Sequence, residues 1–598
     1  MHLAFFWGVL SILQCLFLPG QLMLGALSFR LNLISRLIVG AGISLAINYA
    51  IVWILLGFQI YTTDYMRIIS LLFFLILFII KAKSLWHSKI KCNFSRVMTM
   101  WNICQSQQRY KYFFILACLT ILVYVMVLVG HYGHVIMMSN AISSWNPWAI
   151  DLTRQNIPNT GDYPLLVSII ISITYVIVGH LPQGQFIEFF MTIIFAIFPL
   201  GIILSIWDLA LDSKKPIYLL AVVLIGLVLH STVRHHIGSA DALMLLTFLG
   251  ISAISFLIKA RILKLPVIQA LVIATVIAGA CAVAKQGGLW LLIVFPILTN
   301  LLLIRATGMS ARKQALVMLL QYLWLAVFSS SWYVWNVFLQ HQGLAATNFY
   351  YLTGLSGTIY HHLTFVGRVL HAFSLFNPLL WGCLVLTIWG VWHNRDWRWI
   401  TVLFTVPYTI IWLCGFSYDI RNLTLSLPFW GISGAIGLEQ LLSFQIIQRS
   451  WQVSVSLIKR INVFIWLVVV VLLILILACL KPFSAEKMLE QQAKKSEQII
   501  NPSLTSMLLG YKQIHGLQGH VLASWDYLYQ IPALSPYYLH MGSPTDILTK
   551  FHDHEYQYLL VNQRNQQQMQ FVNKLLSQGY LEPVSYTINY VLYQVVSN

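Results

Sequence analysis

Residues 234–264 read RHHIGSADALMLLTFLGISAISFLIKARILK. Four titratable groups, Arg234, His235, His236 and Asp241, stand within eight residues. An apolar run follows to residue 258, and after it come Lys259, Arg261 and Lys264. As a helix rising about 1.5 Å per residue, such a run crosses a hydrocarbon core of about 30 Å. The pattern recurs at 216–233, 287–304 and 462–480, among others. The chain is 59% hydrophobic and 9% charged, where a soluble chain carries roughly a quarter charged residues. These features describe a polytopic, all-α membrane protein. The first apolar run, from Leu3, is broken at Pro19-Gly20 and lacks a basic flank and a cleavage site, so no removed signal peptide is expected.

The net charge of +18 lies in the membrane part, because the eight basic and eight acidic residues after residue 480 cancel. Such an excess marks cytoplasmic loops rather than nucleic-acid binding. Basic clusters at Lys81–Lys111, Lys214-Lys215, Lys259–Lys264, Arg305–Lys313, Arg395–Arg398 and Arg449–Arg460 are placed in the cytoplasm. The segments 59–66, 131–163, 181–188, 234–241, 284–287, 337–374, 416–422 and everything after 480 then face outward. One stretch breaks the count. If Tyr163–His180 crossed the membrane, every later loop would be inverted. It is therefore expected to lie along the outer surface or to re-enter from it, with Pro164 in its first turn. About fourteen spanning helices plus this surface helix remain, in a domain 1–480. Residues 481–598 read as a separate soluble α/β domain outside the membrane. There Ala485–Gln498 and Gln566–Gln578 are expected as helices, and Val521–Tyr529, Tyr556–Asn562 and Tyr586–Val595 as strands. The eight cysteines show no metal-type spacing and read as small buried hydrophobes.

Only ten carboxylates precede residue 480, and six face outward: Asp64, Asp151, Asp162, Glu188, Asp241 and Asp419. Charge at membrane depth is costly, so such residues pair or serve a function. Four outward gaps stand out. In the first, Trp145, Trp148 and Asp151 share one side of a surface helix, and Asp162-Tyr163-Pro164 follows. The tryptophans suit an interfacial anchor. Asp151 or Asp162, facing a cavity above the bilayer, would take a proton from a hydroxyl acceptor. Partial burial would raise a carboxylate toward the useful range, which favours Asp151. The second gap is the cluster Arg234 to Asp241. The third is Ala284-Lys285-Gln286-Gly287-Gly288, one lysine between two apolar runs, able to snorkel or to bind phosphate. The fourth is Ser417-Tyr418-Asp419-Ile420-Arg421-Asn422, whose acid and arginine can pair with each other.

Together the four gaps resemble bacterial polytopic glycosyltransferases of the GT-C superfamily, which include aminoarabinose and mannose transferases. Asn140–Asp151 with Asp162-Tyr163-Pro164-Leu165-Leu166 resembles that superfamily's first outer loop. Gly238-Ser239-Ala240-Asp241 resembles the acidic second loop, Lys285-Gln286-Gly287-Gly288-Leu289 the lysine turn, and Tyr418-Asp419-Ile420-Arg421-Asn422 the late tyrosine-aspartate-x-arginine turn. Two departures stand out. Asn140 occupies the place of an aspartate, and Gly287 that of a glutamate.

The resemblance implies inverting transfer of a sugar from a polyprenyl-phosphate donor to a lipid, glycan or protein acceptor, outside the cytoplasmic (inner) membrane. Asp151 or Asp162 would be the base. Lys285, Arg234, His235, His236 or Arg421 would meet the phosphate. Asn140, Trp145, Trp148, Tyr163, Asp241, Tyr418 and Asp419 would line the substrate site. No cofactor is demanded by any motif; a divalent cation is left open and no ligand set for a metal is named. Three rival readings remain: a glycan ligase or polymerase using the loop 337–374 with His341, His361, His362 and Arg368; a transporter or flippase; and a non-catalytic relative, given Asn140. Sidedness has a direct test. In a background lacking the native cysteines, single cysteines at Ser139, Ser239 and Ser417 should all react with an impermeant thiol reagent from outside. Labelling of Ser239 from inside would restore Tyr163–His180 as a span.

Overall fold

The structure is a computed structural model. It describes residues 2–27, 29, 31–87, 94–106, 108–130, 141–158, 160, 163–179, 185–237, 239–341, 364–392, 394–416, 419–443, 502–523, 537–541, 544–563, 565–587 and 590–596. The membrane part opens with α1 (His2–Leu16), α2 (Leu18–Ala26), α3 (Leu33–Gly57), α4 (Thr63–His87), α5 (Phe94–Gln105) and α6 (Gln108–Gly130). The short α7 (Asn146–Thr153) and α8 (Leu166–Val178) come next, then α9 (Gln185–Ser213), α10 (Ile217–Val233), α11 (Ala242–Ile262), α12 (Val267–Ala284), α13 (Gly288–Leu302) and α14 (Ala311–His341). Among the described residues nine helices are long and apolar enough to cross a membrane, or up to eleven if two bent pairs each count as one. The expected number was about fourteen, and the apolar run 462–480 lies outside the described residues.

α11 is the centre of the bundle. Its 21 residues span about 30 Å, and its membrane-crossing window is buried on all sides. α4 and α14 form part of the periphery and turn apolar side chains outward, Leu72, Phe78, Leu319 and Val327 among them. An outward apolar face of this kind suits contact with lipid tails.

Because α11 is enclosed, Lys259 near its end is buried and must be paired. Lys259 makes ion pairs with Asp208 and, at 2.9 Å, with Asp212, both near the end of α9. Arg96 of α5 reaches Asp212 at 2.6 Å. Asn32, which caps α3 through the backbone N–H of Ser35, donates its amide to Asp208 at 2.6 Å. Two residues on, the more exposed Arg261 pairs with Asp396. Three of the four acids read as inward thus gather with basic clusters assigned to the cytoplasm, at the opposite end of α11 from Asp241.

α8 replaces the expected surface helix over Tyr163–His180. Its 13 residues reach only about 20 Å, too short for a span. Tyr61, in the loop between α3 and α4, bonds Ser172 at 2.8 Å in the middle of α8. Arg67, in the first turns of α4, donates to the carbonyls of Ile177 and Val178 at 2.8 and 2.9 Å and so caps the C-terminal end. The middle and the end of α8 therefore stay level with the loop between α3 and α4 and the start of α4. Twelve of its 13 residues are buried, so the helix is enclosed by protein rather than laid on lipid.

The C-terminal part is a five-stranded sheet of order β2-β1-β3-β5-β4, built from β1 (Val521–Ala523), β2 (Tyr538–His540), β3 (Tyr558–Asn562), β4 (Leu581–Tyr586) and β5 (Tyr590–Val595). β2, β1 and β3 run parallel, while β5 is antiparallel to β3 and β4. The helix Gln566–Ser577 is where the sequence places it, followed by Gly579 at φ +77°. The single strand expected over Tyr586–Val595 is instead the end of one strand and the whole of the next, which pair as a hairpin. The helix expected at Ala485–Gln498 lies outside the described residues.

The inner ion cluster yields a stability prediction. Asp208→Ala leaves Lys259 with one fewer carboxylate in a buried place, a change that costs about 3–5 kcal/mol. The variant should melt well below the parent in detergent, while Asp64→Ala, at an exposed position, should not.

Candidate active site

At the end of the bundle opposite the Lys259 ion pairs the structure brings the second, third and fourth gaps into one polar cluster. α10 ends in a 3₁₀ turn, Arg234–His236, and the chain re-enters the bundle at Asp241, the residue that begins α11. The Asp241 carboxylate does not cap that helix. It turns back to His236, whose Nδ1 lies 3.1 Å away. Asp241 is only 4% exposed. Burial is the largest influence on its pKa and pushes it up, but the His236 bond and the neighbouring charges of Lys285, His236 and Arg421 together hold it below the ordinary carboxylate value.

Lys285 closes α12 in an extended backbone conformation, and its ammonium donates to Asn422 Oδ1 at 3.0 Å. Burial lowers its pKa. The fields of Asp241 and Asp419 oppose that shift and the field of Arg421 adds to it. Asp419 accepts from the Arg421 side chain and, at 2.9 Å, from the Arg421 backbone N–H. Its own carbonyl accepts from Trp412 Nε1 at 3.0 Å. The Tyr408 hydroxyl donates to the Asn422 carbonyl at 2.9 Å.

The glycines after Lys285 are explained by this packing. A Cβ on Gly288 would stand 2.1 Å from the carbonyl oxygen of Cys281, and one on Gly287 would stand 2.5 Å from the Tyr408 hydroxyl. Both distances are impossible for real atoms, so a glutamate at 287 cannot enter while Tyr408 holds its place.

The first gap forms an aromatic unit. A π-helical turn, Ala141–Trp145, leads into α7. Trp145 meets Trp148 edge-on at 5.2 Å, and Tyr163 lies 5.5 Å from Trp145 and 6.2 Å from Trp148. Both tryptophans are buried. They are packed inside protein, which corrects the expectation of an interfacial anchor. Asp151 is half-buried on α7. The C-terminal sheet sits against the same helix: Ile150 and Tyr175 pack against Leu508, Val521, Tyr538 and Leu592, and Arg154 reaches the Tyr538 carbonyl at 3.4 Å. Tyr175 in turn donates to Asn146 at 3.0 Å.

Of the expected site residues, His236, Asp241, Lys285, Asp419 and Arg421 come together. Trp145, Trp148 and Tyr163 form the second group, with Asp151 two turns along α7. Arg234 is exposed at the end of α10. Asn140, Asp162, Tyr418 and the His235 side chain lie outside the described residues, as do His361 and His362. Among the described residues no group of three His, Cys, Asp or Glu side chains is placed to hold a metal ion. Sequence reasoning missed Tyr408 and Trp412, which carry no signal inside an apolar span, and gave no role to Asn422 although it ends a quoted motif.

Fold and site thus define a polytopic membrane protein with a buried polar site at one end of its bundle and a small α/β domain. No family model matches the chain, and no curated protein matches it in sequence. Among solved structures, ArnT from Cupriavidus metallidurans bound to undecaprenyl phosphate is similar over 80% of this chain and 98% of its own, with 12% identity and a TM-score of 0.44. ArnT from the same organism in the apo state is similar over 80% and 97%, with 12% identity and a TM-score of 0.40. A likeness at that level carries no argument about what this chain binds or does.

The glycine packing can be checked by a paired substitution. Gly287→Ala should lower thermal stability by about 1–3 kcal/mol, the usual cost of overpacking. Tyr408→Phe removes the clashing oxygen together with its bond to Asn422, so in that background Gly287→Ala should cost less than in the parent, whereas the cost of Gly288→Ala, which meets backbone, should not change.

Proposed function

We propose that the chain is a GT-C-type membrane glycosyltransferase that moves a sugar from a polyprenyl-phosphate donor to a lipid, glycan or protein acceptor on the outer face of the cytoplasmic membrane. The observation that carries this reading is the meeting of Lys285 and Arg421 with Asp241, Asp419 and His236 at the outer ends of buried helices. Cations placed where a phosphate leaves stabilise the charge that develops on it. In the reaction a carboxylate, Asp151 or Asp162, takes the proton of an acceptor hydroxyl. The acceptor oxygen forms a bond to the anomeric carbon, and the bond from that carbon to the phosphate oxygen breaks. The electron pair leaves with the lipid phosphate, toward Lys285. The aromatic unit of Trp145, Trp148 and Tyr163 suits the face of a sugar ring. The C-terminal domain, resting on α7, would shape the acceptor side.

The test combines binding and transfer. A short-chain polyprenyl phosphate should bind the purified protein at pH 7, and Lys285→Ala should weaken that binding at least about tenfold. Because burial lowers the Lys285 pKa, affinity should fall as pH rises toward a point below 10.5, the ordinary lysine value, and Lys285→Arg should remove that loss. In cells, deletion of the gene should strip a sugar from a glycolipid or surface glycan. Asp151→Asn should fail to restore it, with general-base help worth about 10²–10⁴-fold in rate. Wild-type lipid binding by Lys285→Ala, or full complementation by both Asp151→Asn and Asp162→Asn, would defeat the proposal.

A further inference from the structure

Lys285 stands near two carboxylates, Asp241 and Asp419, whose fields both act on it. Its ammonium nevertheless bonds the neutral oxygen of Asn422. Each acid is already engaged, Asp241 with His236 and Asp419 with Arg421. Asn422 is itself held firmly. Its backbone N–H donates to the Asp419 carbonyl at 3.1 Å, and its carbonyl accepts from Tyr408 at 2.9 Å. An amide oxygen fixes an ammonium without cancelling its charge, whereas a carboxylate at that place would form an ion pair that an arriving anion must break. We infer that Asn422 is the positioning residue of Lys285: it holds the ammonium in place and leaves its charge available to the donor phosphate.

This inference rests on the reading of Lys285 as a phosphate ligand, and the experiment separates the two. Binding of a short-chain polyprenyl phosphate is measured on the full-length protein and on Lys285→Ala, Asn422→Ala and the double variant. Asn422→Ala should weaken binding about three- to tenfold when Lys285 is present and by less than about twofold in the Lys285→Ala background, because two groups acting through one interaction are not additive. In a transfer assay the same variant should raise KM for the donor more than it lowers kcat. Asn422→Ser, too short to reach the ammonium, serves if the alanine variant does not fold. Asn422→Asp supplies the contrast. It preserves size and the bond to Lys285, so a merely structural role makes it the mildest change, whereas the inference makes it at least as damaging as alanine. Equal losses from Asn422→Ala in both backgrounds, or an Asn422→Asp variant with wild-type affinity, would overturn the role of Asn422. Unchanged affinity in Lys285→Ala alone would instead remove the phosphate reading beneath it.

Discussion

Everything at the candidate site depends on the burial of α11. A helix with no face to water or lipid cannot let a lysine snorkel, so Lys259 must find its counter-charges inside the bundle. Asp208 and Asp212 supply them from α9, and Asn32 and Ser35 of α3 complete the set. These contacts fix the depth of α3 and α9 against α11. With that register set, Asp241 emerges about 30 Å away at the other end. The position of the outer cluster is in this sense decided at the opposite face.

The cluster around Asp241 and Lys285 then shows how charge is kept usable. Two carboxylates and two fixed cations nearly cancel, which makes their burial tolerable. Most of the pairing is between near neighbours in sequence: His236 with Asp241, Asp419 with Arg421. The links across the bundle end on neutral acceptors, from Lys285 to an amide and from Tyr408 to a carbonyl. Short-range pairs secure each turn, and the long-range contacts join the turns into one site.

The sequence shows the turns but not the site. Every gap between apolar runs is visible because a charge interrupts hydrophobicity, so His236, Asp241, Lys285 and Arg421 could be singled out one by one. Their meeting depends on helix packing, which leaves no mark in a single sequence. Tyr408 illustrates the limit: within an apolar span it reads as one more aromatic, and only its distance to Gly287 and Asn422 gives it meaning. The tryptophans of the first gap were legible as a pair on one helical side, but an amphipathic pattern does not say whether that side meets lipid or protein. In the C-terminal domain, alternation over Tyr586–Val595 looked continuous because both arms of a hairpin alternate. The helix within Tyr163–His180 is shorter than expected, at 13 residues, and its enclosure was invisible because an all-apolar run looks the same in lipid and in a core.

That enclosed short helix bears on how the protein is made. A membrane chain is delivered N-terminus first, and a segment of 13 apolar residues is a poor candidate for independent insertion. α8 does not have to wait for all of its partners. Cys15, Tyr61 and Arg67, which contact its middle and cap its end, all precede it and are already in place when it emerges. The first four helices thus offer a dock prepared before the passenger arrives, and α9 and the C-terminal domain, made later, close over it.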